Sequence, residues 1–404
     1  MKALSNATLF DFETFRPDSY LLFDKTIVSH GPMSAFPGAD QVTDVGGSWV
    51  MPGLVAGHTH LYSTFTRGWV PGIGTGSYDA ELDLEAVAFS GRVGALASLK
   101  AGVTTLVDYH TSGVIGGSLS ALRNTVVDET GLRGIFAFET SDSFDLEACL
   151  EENKSFARHP GSRAAGLVGL RAPSTLSDKA LDRIARATGS LPLHVHLGET
   201  GENEGAVARL EARGLWRPGS IAVYGSPLDA DDTQVLSLRG VPLTLTPTAN
   251  IAHGGLPDLA ELHRAGVKMP LGTDGMGFGL GFEVRNLVFS QGRGVLGPQT
   301  GLEEAATSLR STWEFAGEAL GCQLGRLEPG YEADFVVVDY QSPTPLNAEN
   351  ALGHWFDGLL ESWHPRHIWV AGAQRVTDFK PAVHEAELHR EARRVAGALW
   401  KRLG

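Results

Sequence analysis

The sequence predicts an α/β protein: a (β/α)₈ TIM-type barrel with a small β-sandwich domain built from both chain ends. Two observations support this fold class. Short apolar runs alternate with helical segments through the middle of the chain, and short β-rich runs occupy both ends. Strands that alternate with helices in this way are typical of a closed barrel of parallel strands. A doubly wound open sheet is the alternative, because a strand count made from sequence can be off by one or two.

The two ends of the chain share one pattern. Residues 1–52 and 327–380 contain short β-rich runs that are broken by glycine and proline. Neither stretch has enough strands for a stable sheet of its own, so we expect both to pair in one composite β-sandwich domain. Residues 53–326 are predicted to form the barrel, and residues 381–404 to form an exposed C-terminal helix.

Eight apolar runs are the candidate barrel strands, and segments such as LDLEAVAFSGRVGALASLKAG between them have helical character. The runs are LVAGHTH (54–60), TTLVDYH (104–110), GIFAFET (134–140), GLVGLRAP (166–173), PLHVHLGE (192–199), SIAVYG (220–225), LTLTPT (243–248) and KMPLGTD (268–274).

Composition excludes several classes of protein. The 404 residues carry a formal charge of −14 without a block of Lys or Arg, which argues against nucleic-acid binding. Two cysteines, Cys149 and Cys322, cannot build a disulfide framework and fit a reducing compartment. No segment has the pattern of a signal peptide or the length of a membrane span. We therefore expect a soluble, cytoplasmic protein that acts on a small molecule.

The first candidate strand ends in two histidines, His58 and His60, within the segment GSWVMPGLVAGHTH. Residues two apart on a strand share a face, so both imidazoles are expected to point the same way. At the C-terminal end of a barrel strand, that direction is the mouth where active sites of this fold lie. Neutral imidazole is the commonest ligand of divalent metals such as Zn²⁺. A pair of surface histidines at a strand end is the alternative.

Two further runs end in residues that bind metals. LHVHLGET carries His194 and His196 on the fifth run, and LGTDG closes the eighth run with Asp274. Only the histidine nearer the mouth reaches the site, so His196 is the predicted ligand and His194 a supporting residue. An aspartate before glycine is often only a turn former. Candidate ligands at the ends of strands one, five and eight nevertheless predict a shared metal site. Its ligands are His58, His60, His196 and Asp274.

PGLVAGHTH, HLGET, LGTDG and the two-ended β-domain resemble the amidohydrolase superfamily, in particular its cytosine deaminase-like branch of aminohydrolases and chlorohydrolases. More narrowly, HLYSTFTRG, GGSLSALRNTVVDETGLR and DYQSPTPLNAENALGH are similar to the SsnA-type aminohydrolases. This resemblance implies one divalent ion per chain on the four ligands above, usually Zn²⁺ and in some members Fe²⁺. The binuclear branch needs a carboxylated lysine at the end of strand four, where this chain has GLVGLRAP.

The resemblance also implies hydrolytic deamination of an aminated nitrogen heterocycle. A bound divalent ion lowers the pKa of water from 15.7 to about 7, which supplies hydroxide at neutral pH. Asp274 is expected to take the proton of that water while it remains a ligand. Glu199 is expected to carry a proton to the ring nitrogen and to help the amine leave. A solvated loop carboxylate is the alternative for Glu199.

Two positions depart from the family pattern. Tyr224, in SIAVYGSPLDADD, stands where related enzymes have a histidine that bonds the metal-bound water. A phenol can donate a hydrogen bond but carries no positive charge, and losing one preorganised donor costs about 3–4 kcal/mol. Arg171, in RAP, stands where relatives have a histidine. It either pairs with a local carboxylate or receives an anionic or carbonyl group of the substrate.

Other residues are expected near the substrate. His110 ends the second strand, Asn250 follows the seventh, and Trp69 lies in the loop after the first. For His110, a stacked supporting role is the alternative. Apart from deamination, two functions stay open: hydrolysis of another carbon–nitrogen bond such as an amide or cyclic amide, and a catalytically weak, metal-binding assembly partner. Members of the family are commonly dimeric, so a homodimer is expected.

Overall fold

The structure is a computed structural model that describes residues 1–68, 78–198, 205–224, 228–253, 255–291 and 297–403. The strands are β1 (Lys2–Phe10), β2 (Phe15–Phe23), β3 (Ile27–Pro32), β4 (Gln41–Asp44), β5 (Trp49–Pro52), β6 (Leu54–Thr59), β7 (Val103–His110), β8 (Arg133–Phe138), β9 (Ala164–Gly166), β10 (Val168–Leu170), β11 (Leu193–Leu197), β12 (Ile221–Tyr224), β13 (Leu243–Thr244), β14 (Phe335–Val338), β15 (His367–Val370), β16 (Ala373–Thr377) and β17 (Lys380–Pro381).

Helices follow most strands of the middle region. They are α1 (Leu84–Lys100), α2 (Ser118–Arg123), α3 (Leu146–Arg158), α4 (Asp178–Thr188), α5 (Ala206–Glu211), α6 (Ala230–Arg239), α7 (Pro247–Ala252), α8 (Leu259–Ala265), α9 (Gly281–Gln291), α10 (Gly297–Leu320), α11 (Ala351–His354) and α12 (Glu385–Leu403). Side chains that accept a hydrogen bond from the first helical turn cap several of them. These caps are Asp83 for α1, Asp145 for α3, Ser177 for α4, Asp229 for α6 and Asp258 for α8.

Both ends of the chain contribute to one sheet. Within the described residues its strands lie in the order β17-β16-β15-β14-β5-β1-β2-β3, and β4 pairs with β1. The antiparallel pairing of β5 with β14 brings Trp49–Pro52 beside Phe335–Val338. Alternate residues of β14 face different cores: Val336 packs with the parallel strands, and Val337 packs within the chain-end sheet. The ends therefore meet in this sheet, whereas a two-sheet sandwich stays a prediction.

The middle of the chain is a mixed α/β structure with parallel strands. In the described ranges, β6-β7-β8-β9 form one parallel sheet and β10-β11-β12-β13 form another. The fourth predicted run is split between β9 and β10. Backbone hydrogen bonds connect the two sheets, because Leu167 N donates to Phe136 O at 2.9 Å and Thr140 N donates to Gly169 O at 3.0 Å. Most of the runs predicted from the sequence are strands, and they place their C-terminal ends on one side.

The eighth predicted strand, residues 268–274, is not a regular strand and forms only isolated parallel bridges. Pro270 has no N–H to donate, and the N–H of Leu271 donates to a threonine side chain of α10. The segment still bonds to both of its neighbours: Gly57 N donates to Leu271 O at 2.8 Å, and Leu245 N donates to Pro270 O at 2.7 Å. The segment therefore has no regular ladder of strand hydrogen bonds, because Pro270 lacks a backbone donor and that of Leu271 is not available for it.

The C-terminal helix differs from the expectation that it is exposed. Leu388, Ala392, Val395 and Leu399 recur at helical spacing on α12 and are buried against the main core. Lys100 Nζ of α1 lies 2.6 Å from the Glu385 carboxylate of α12. The helix is therefore amphipathic and covers α1 with its apolar face. None of the helices in the described ranges is long and apolar enough to cross a membrane.

Candidate metal centre

Strand ends bring the predicted ligands together. His58 lies near the end of β6 with His60 just beyond it, and His196 is the penultimate residue of β11. Asp274 follows the irregular eighth segment and has a left-handed backbone with φ of +52°, a conformation that aspartate tolerates better than most residues. All of these side chains are buried.

One carboxylate oxygen lies at the centre of the cluster. Asp274 Oδ1 is 2.9 Å from His60 Nε2 and 3.5 Å from His58 Nε2. The ring of His196 lies 4.9 Å from that of His58 and 5.4 Å from that of His60, centroid to centroid. Potential ligand atoms of His58, His60 and Asp274 lie within 4.8 Å of one another, as do those of His58, His194 and His196. The structure thus brings all four predicted ligands together, with His194 beside them.

Glycine permits the close approach of the segment that carries Asp274. A Cβ atom on Gly272 would lie 2.7 Å from the backbone N and O of His58, a distance that real Cβ atoms do not adopt. Thr273 N donates to His58 O at 2.7 Å, and His60 N donates to Asp274 O at 3.2 Å. The LGTDG sequence therefore places the carboxylate directly beside the H-x-H pair.

The proton of His60 has a defined position. His60 Nδ1 lies 2.7 Å from the carbonyl oxygen of Tyr109, which can only accept, so Nδ1 donates. The opposite nitrogen, Nε2, faces the Asp274 carboxylate. Burial alone would lower the pKa of His60, but Asp274 raises it to about 9. A positive charge between Nε2 and the carboxylate, whether a proton or a metal ion, is therefore strongly favoured.

Burial and the neighbouring side chains also shift the pKa values of His58, His194 and Asp274. Burial lowers the pKa of His58 to about 3, although Asp274 opposes the shift, and it lowers the pKa of His194 well below its usual value. Burial alone would raise the pKa of Asp274, but the neighbouring His58 and His60 hold it well below its usual range. Neutral imidazoles around an ionised carboxylate are a donor set that suits Zn²⁺, so these residues fit a divalent ion.

Aromatic side chains line the cluster, and the sequence did not single them out. The ring of Tyr109 stacks on His196 with a centroid distance of 4.0 Å and an interplanar angle of 29°. The ring of Tyr62 lies 5.1 Å from that of His60 and 6.1 Å from that of His110. Tyr62 follows the H-x-H pair by two residues and Tyr109 is inside β7, which is the only sequence signal that points to them.

His110 is buried behind Tyr62. Its Nε2 lies 2.9 Å from Ser112 Oγ, which in turn donates to the carbonyl of Val114. Because the serine proton is used in that second bond, His110 Nε2 donates to Ser112. Burial lowers the pKa of His110 to about 3. The burial of His110 and its bond to Ser112 are compatible with a supporting role, and direct contact with a substrate stays a prediction.

Arg171 pairs with a carboxylate at the mouth of the site. Its Nη1 lies 3.4 Å from Oε2 of Glu139, which is 3% exposed and also accepts from Ser141 Oγ. Arg171 itself is 36% exposed. The local ion pair expected as one alternative is therefore present, and part of the guanidinium still faces solvent. Glu139 directly follows β8, a position that the sequence could have pointed to.

The structure provides little information on the side chains of the remaining predicted residues. Asn250 lies in α7 near its start, and its side-chain oxygen accepts from Thr246 N at 2.9 Å within the same turn. Trp69 and Glu199 lie outside the described residues. Tyr224 is the last residue of β12, and its side chain is also outside the part of the chain that the structure describes. The roles predicted for these residues stay predictions.

Fold and site together define a class of enzyme: hydrolases that act on carbon–nitrogen bonds other than peptide bonds. Residues 49–372 match the Amidohydrolase family, and the chain belongs to that family. It lies in the aminohydrolase branch, as expected from the H-x-H, HLGET and LGTDG motifs.

The chain is similar to three known proteins, one in sequence and two in structure. A 5-methylthioadenosine/S-adenosylhomocysteine deaminase of Bacillus cytotoxicus is 26% identical over 373 residues, which cover 85% of each chain. The crystal structure of an adenosine deaminase from Xanthomonas campestris with bound zinc superposes with a TM-score of 0.82 at 20% identity, covering 99% of this chain and 98% of the other. Atrazine chlorohydrolase TrzN from Arthrobacter aurescens, complexed with zinc, gives 0.80 at 18% identity and covers 99% and 100%. The two structural matches show a common fold.

Proposed function

We propose that this chain catalyses the hydrolytic deamination of an aminated nitrogen heterocycle and that it needs one divalent metal ion, Zn²⁺, for this reaction. The observation that carries the proposal is the position of Asp274 Oδ1, 2.9 Å from His60 Nε2 and 3.5 Å from His58 Nε2. A relative named as a deaminase of adenine-containing nucleosides supports the reaction type. Zinc in two structures of the same fold supports the choice of metal.

Atoms of the proposed ligands that do not face the metal site already have partners within the protein. His60 donates Nδ1–H to the Tyr109 carbonyl, and Tyr109 stacks on His196. When bound, a divalent ion lowers the pKa of a water ligand to about 7 and makes it nucleophilic at neutral pH. Asp274, which is ionised beside the imidazoles, can accept a proton from that water at a carboxylate oxygen.

Glu199 and Tyr224 are proposed to act on the reacting ring. Glu199 follows His196 by three residues, and its carboxyl group would hold a proton for the ring nitrogen and then for the leaving amine. Tyr224 pairs with Leu197 in the register of β12 and β11, so its backbone lies at the same strand ends as His196. We assign to its phenol a hydrogen bond to the oxygen that becomes negatively charged.

The substrate pocket is proposed to lie between Arg171 and the metal ligands. The partly exposed guanidinium of Arg171 can accept an anionic or carbonyl group of the substrate in addition to its bond with Glu139. Trp69 and Asn250 are proposed to contribute walls of the pocket, as the sequence predicts. His110 is proposed to support Tyr62 from behind rather than to reach the ring.

We also propose a closed barrel, the domain boundaries, a cellular location and a homodimer. The backbone bonds of residues 268–274 to both neighbouring strands support a closed eight-stranded barrel. We retain 53–326 as the barrel, 1–52 plus 327–380 as a composite β-sandwich domain, and 381–404 as a C-terminal helix. Free thiols at both cysteines are compatible with a cytoplasmic location. The proposed homodimer can be tested by light scattering.

The test of the function is ammonia release by the purified protein. Protein loaded with one equivalent of zinc is assayed against 5′-methylthioadenosine, S-adenosylhomocysteine, adenosine, guanine, cytosine, a pterin and an aminotriazine. We expect release from at least one compound with kcat/KM of about 10⁴ M⁻¹ s⁻¹ or higher. The same protein after dialysis against a chelator is the matched control and should be inactive until zinc is restored. Full zinc content with no ammonia from any compound would contradict the proposal.

A further inference from the structure

His194 contacts the proposed metal ligand His58. Its Nε2 lies 3.0 Å from Nδ1 of His58, and both side chains are fully buried. Each neutral imidazole has one N–H donor and one nitrogen acceptor, so exactly one of these two facing nitrogens carries the proton. The position of that proton decides which nitrogen of His58 is available to a metal ion.

Neighbouring His60 indicates which arrangement the site needs. Its Nδ1 donates to the Tyr109 carbonyl, so Nε2, which faces Asp274, is the nitrogen that a metal ion would use in place of the proton. His58 Nε2 faces the same Asp274 oxygen. Both histidines can bind one ion through Nε2 only if His58, like His60, carries its proton on Nδ1. That proton then points at His194.

We propose that His194 is a positioning residue, whose Nε2 accepts the Nδ1–H of His58 and so directs His58 Nε2 to the metal. This inference rests on the proposed function because it concerns the same metal site. A backbone carbonyl orients His60, whereas a replaceable side chain orients His58. Such outer partners fix the tautomer and ring orientation of ligating histidines.

The competing arrangement makes His194 itself a ligand, since potential ligand atoms of His58, His194 and His196 lie within 4.8 Å of one another. His194 Nε2, however, contacts the Nδ1 side of the His58 ring, whereas Asp274 lies at the Nε2 side. An ion bound through His58 Nε2 and Asp274 is therefore on the opposite side of that ring from His194 Nε2. The two arrangements predict different numbers of ligands after His194 is replaced.

The test compares His194→Leu with His194→Gln in the full-length, zinc-loaded protein. Leucine removes the acceptor, and glutamine can place an amide oxygen close to the former Nε2 position. Zinc affinity is measured by competition with a chromogenic chelator. We expect affinity to fall by about 10–100-fold in His194→Leu and to be largely restored in His194→Gln. His367→Leu, which replaces a buried histidine of β15 in the chain-end sheet, is the matched control and should keep its zinc affinity.

Two spectroscopic measurements complete the test. Zinc K-edge absorption should count the same number of imidazole ligands in His194→Leu as in the unaltered protein. Nitrogen-15 NMR of labelled histidines should place the His58 proton on Nδ1 in the zinc-loaded protein. Unchanged affinity in His194→Leu, no recovery in His194→Gln, one imidazole fewer in the absorption spectrum, or a His58 proton on Nε2 would each overturn the inference. Failure of the unaltered protein to bind zinc at all would instead refute the proposed function.

Discussion

Two clusters of buried charged side chains lie at different positions along the parallel strands. They differ in how their charges are balanced. The strand-end cluster, formed by His58, His60, His196 and Asp274, follows the C-terminal ends of its strands. The arginine cluster, formed by Arg133, Glu332 and Asp334, joins the first residue of β8 to the segment before β14. Both are largely withdrawn from water, but only the arginine cluster takes its positive charge from a side chain that stays charged at all ordinary pH values.

Every charge in the arginine cluster has a partner. Arg133 Nε lies 2.7 Å from Asp334 Oδ2, and Nη2 lies 3.1 Å from Asp334 Oδ1 and 2.6 Å from Glu332 Oε2. The N–H of Ala371 also donates to Asp334 at 2.6 Å. Burial alone would lower the pKa of Arg133, but Asp334 and Glu332 raise it above its usual value. This cluster holds the chain-end sheet against the parallel strands.

In the strand-end cluster, burial lowers the pKa of His58 to about 3, whereas Asp274 raises the pKa of His60 to about 9 against the effect of burial. A buried charge is costly without a compensating charge, and here that charge is either a proton on His60 Nε2 or a cation bound in its place. The comparison teaches that burial of charge alone does not mark a functional site. What distinguishes the strand-end cluster is that its positive charge is a proton on an imidazole, which a metal ion can replace.

The largest effect is expected for Asp274→Asn, which keeps the shape of the side chain and removes its charge. Activity should fall by about 10²–10⁴-fold, because the residue loses its role as proton acceptor. Zinc content after gel filtration should fall as well, because a neutral amide oxygen is a poorer ligand for a divalent ion. Ammonia assays and elemental analysis measure the two effects. A variant that retains both activity and zinc would remove Asp274 from the site.

The proximity of these candidate ligands could be predicted from the sequence because local rules place each of them at the end of a predicted barrel strand. His58 and His60 are two residues apart on a strand, and Asp274 follows an apolar run and precedes a glycine. An ion pair of Arg171 with a local carboxylate was one predicted alternative, but periodicity alone identified neither Glu139 as the partner nor the contact of His194 with His58. Both depend on the distance between side chains of different strands, which periodicity does not provide.

The fold, like the site, could be predicted from the sequence only in part. Apolar runs with turn residues around them identified most of the parallel strands, because burial on both faces leaves a strong sequence signal. The irregular segment 268–274 has that signal too, but Pro270 and the Leu271 N–H bond to α10 remove backbone donors from its ladder. The buried face of α12 was underestimated, although its leucines recur at helical spacing.

The arginine cluster provides the next test, through Arg133→Met. Removing the cation leaves two carboxylates without compensation, and breaking a buried pair in this way costs about 3–5 kcal/mol of the free energy of unfolding. Urea unfolding followed by circular dichroism, in excess zinc, measures the loss. Zinc affinity should not change, because the cluster does not touch the metal ligands. A loss of zinc affinity equal to that of Asp274→Asn would mean that the two clusters are not independent.

Removal of the metal ion tests the strand-end cluster. Zinc that binds only the folded protein should raise the free energy of unfolding by about 2.7 kcal/mol at 100 times Kd and about 4.1 kcal/mol at 1,000 times Kd. The gain should persist in Arg133→Met and shrink in Asp274→Asn. Thermal unfolding with graded zinc and chelator measures it. Equal stabilisation of all three proteins would assign the zinc to another site.

The smallest effect is expected at the partly exposed pair of Lys100 and Glu385, which joins α1 to α12 at 2.6 Å. Its side chains remain 37% and 33% exposed, so water screens the attraction that the arginine cluster experiences in full. A double-mutant cycle with Lys100→Met and Glu385→Gln should give a coupling energy of about 0.2–1 kcal/mol. Urea unfolding in low and high salt measures the coupling, which should decrease in high salt. A coupling as large as the loss in Arg133→Met would show that burial is not what separates these two ion pairs.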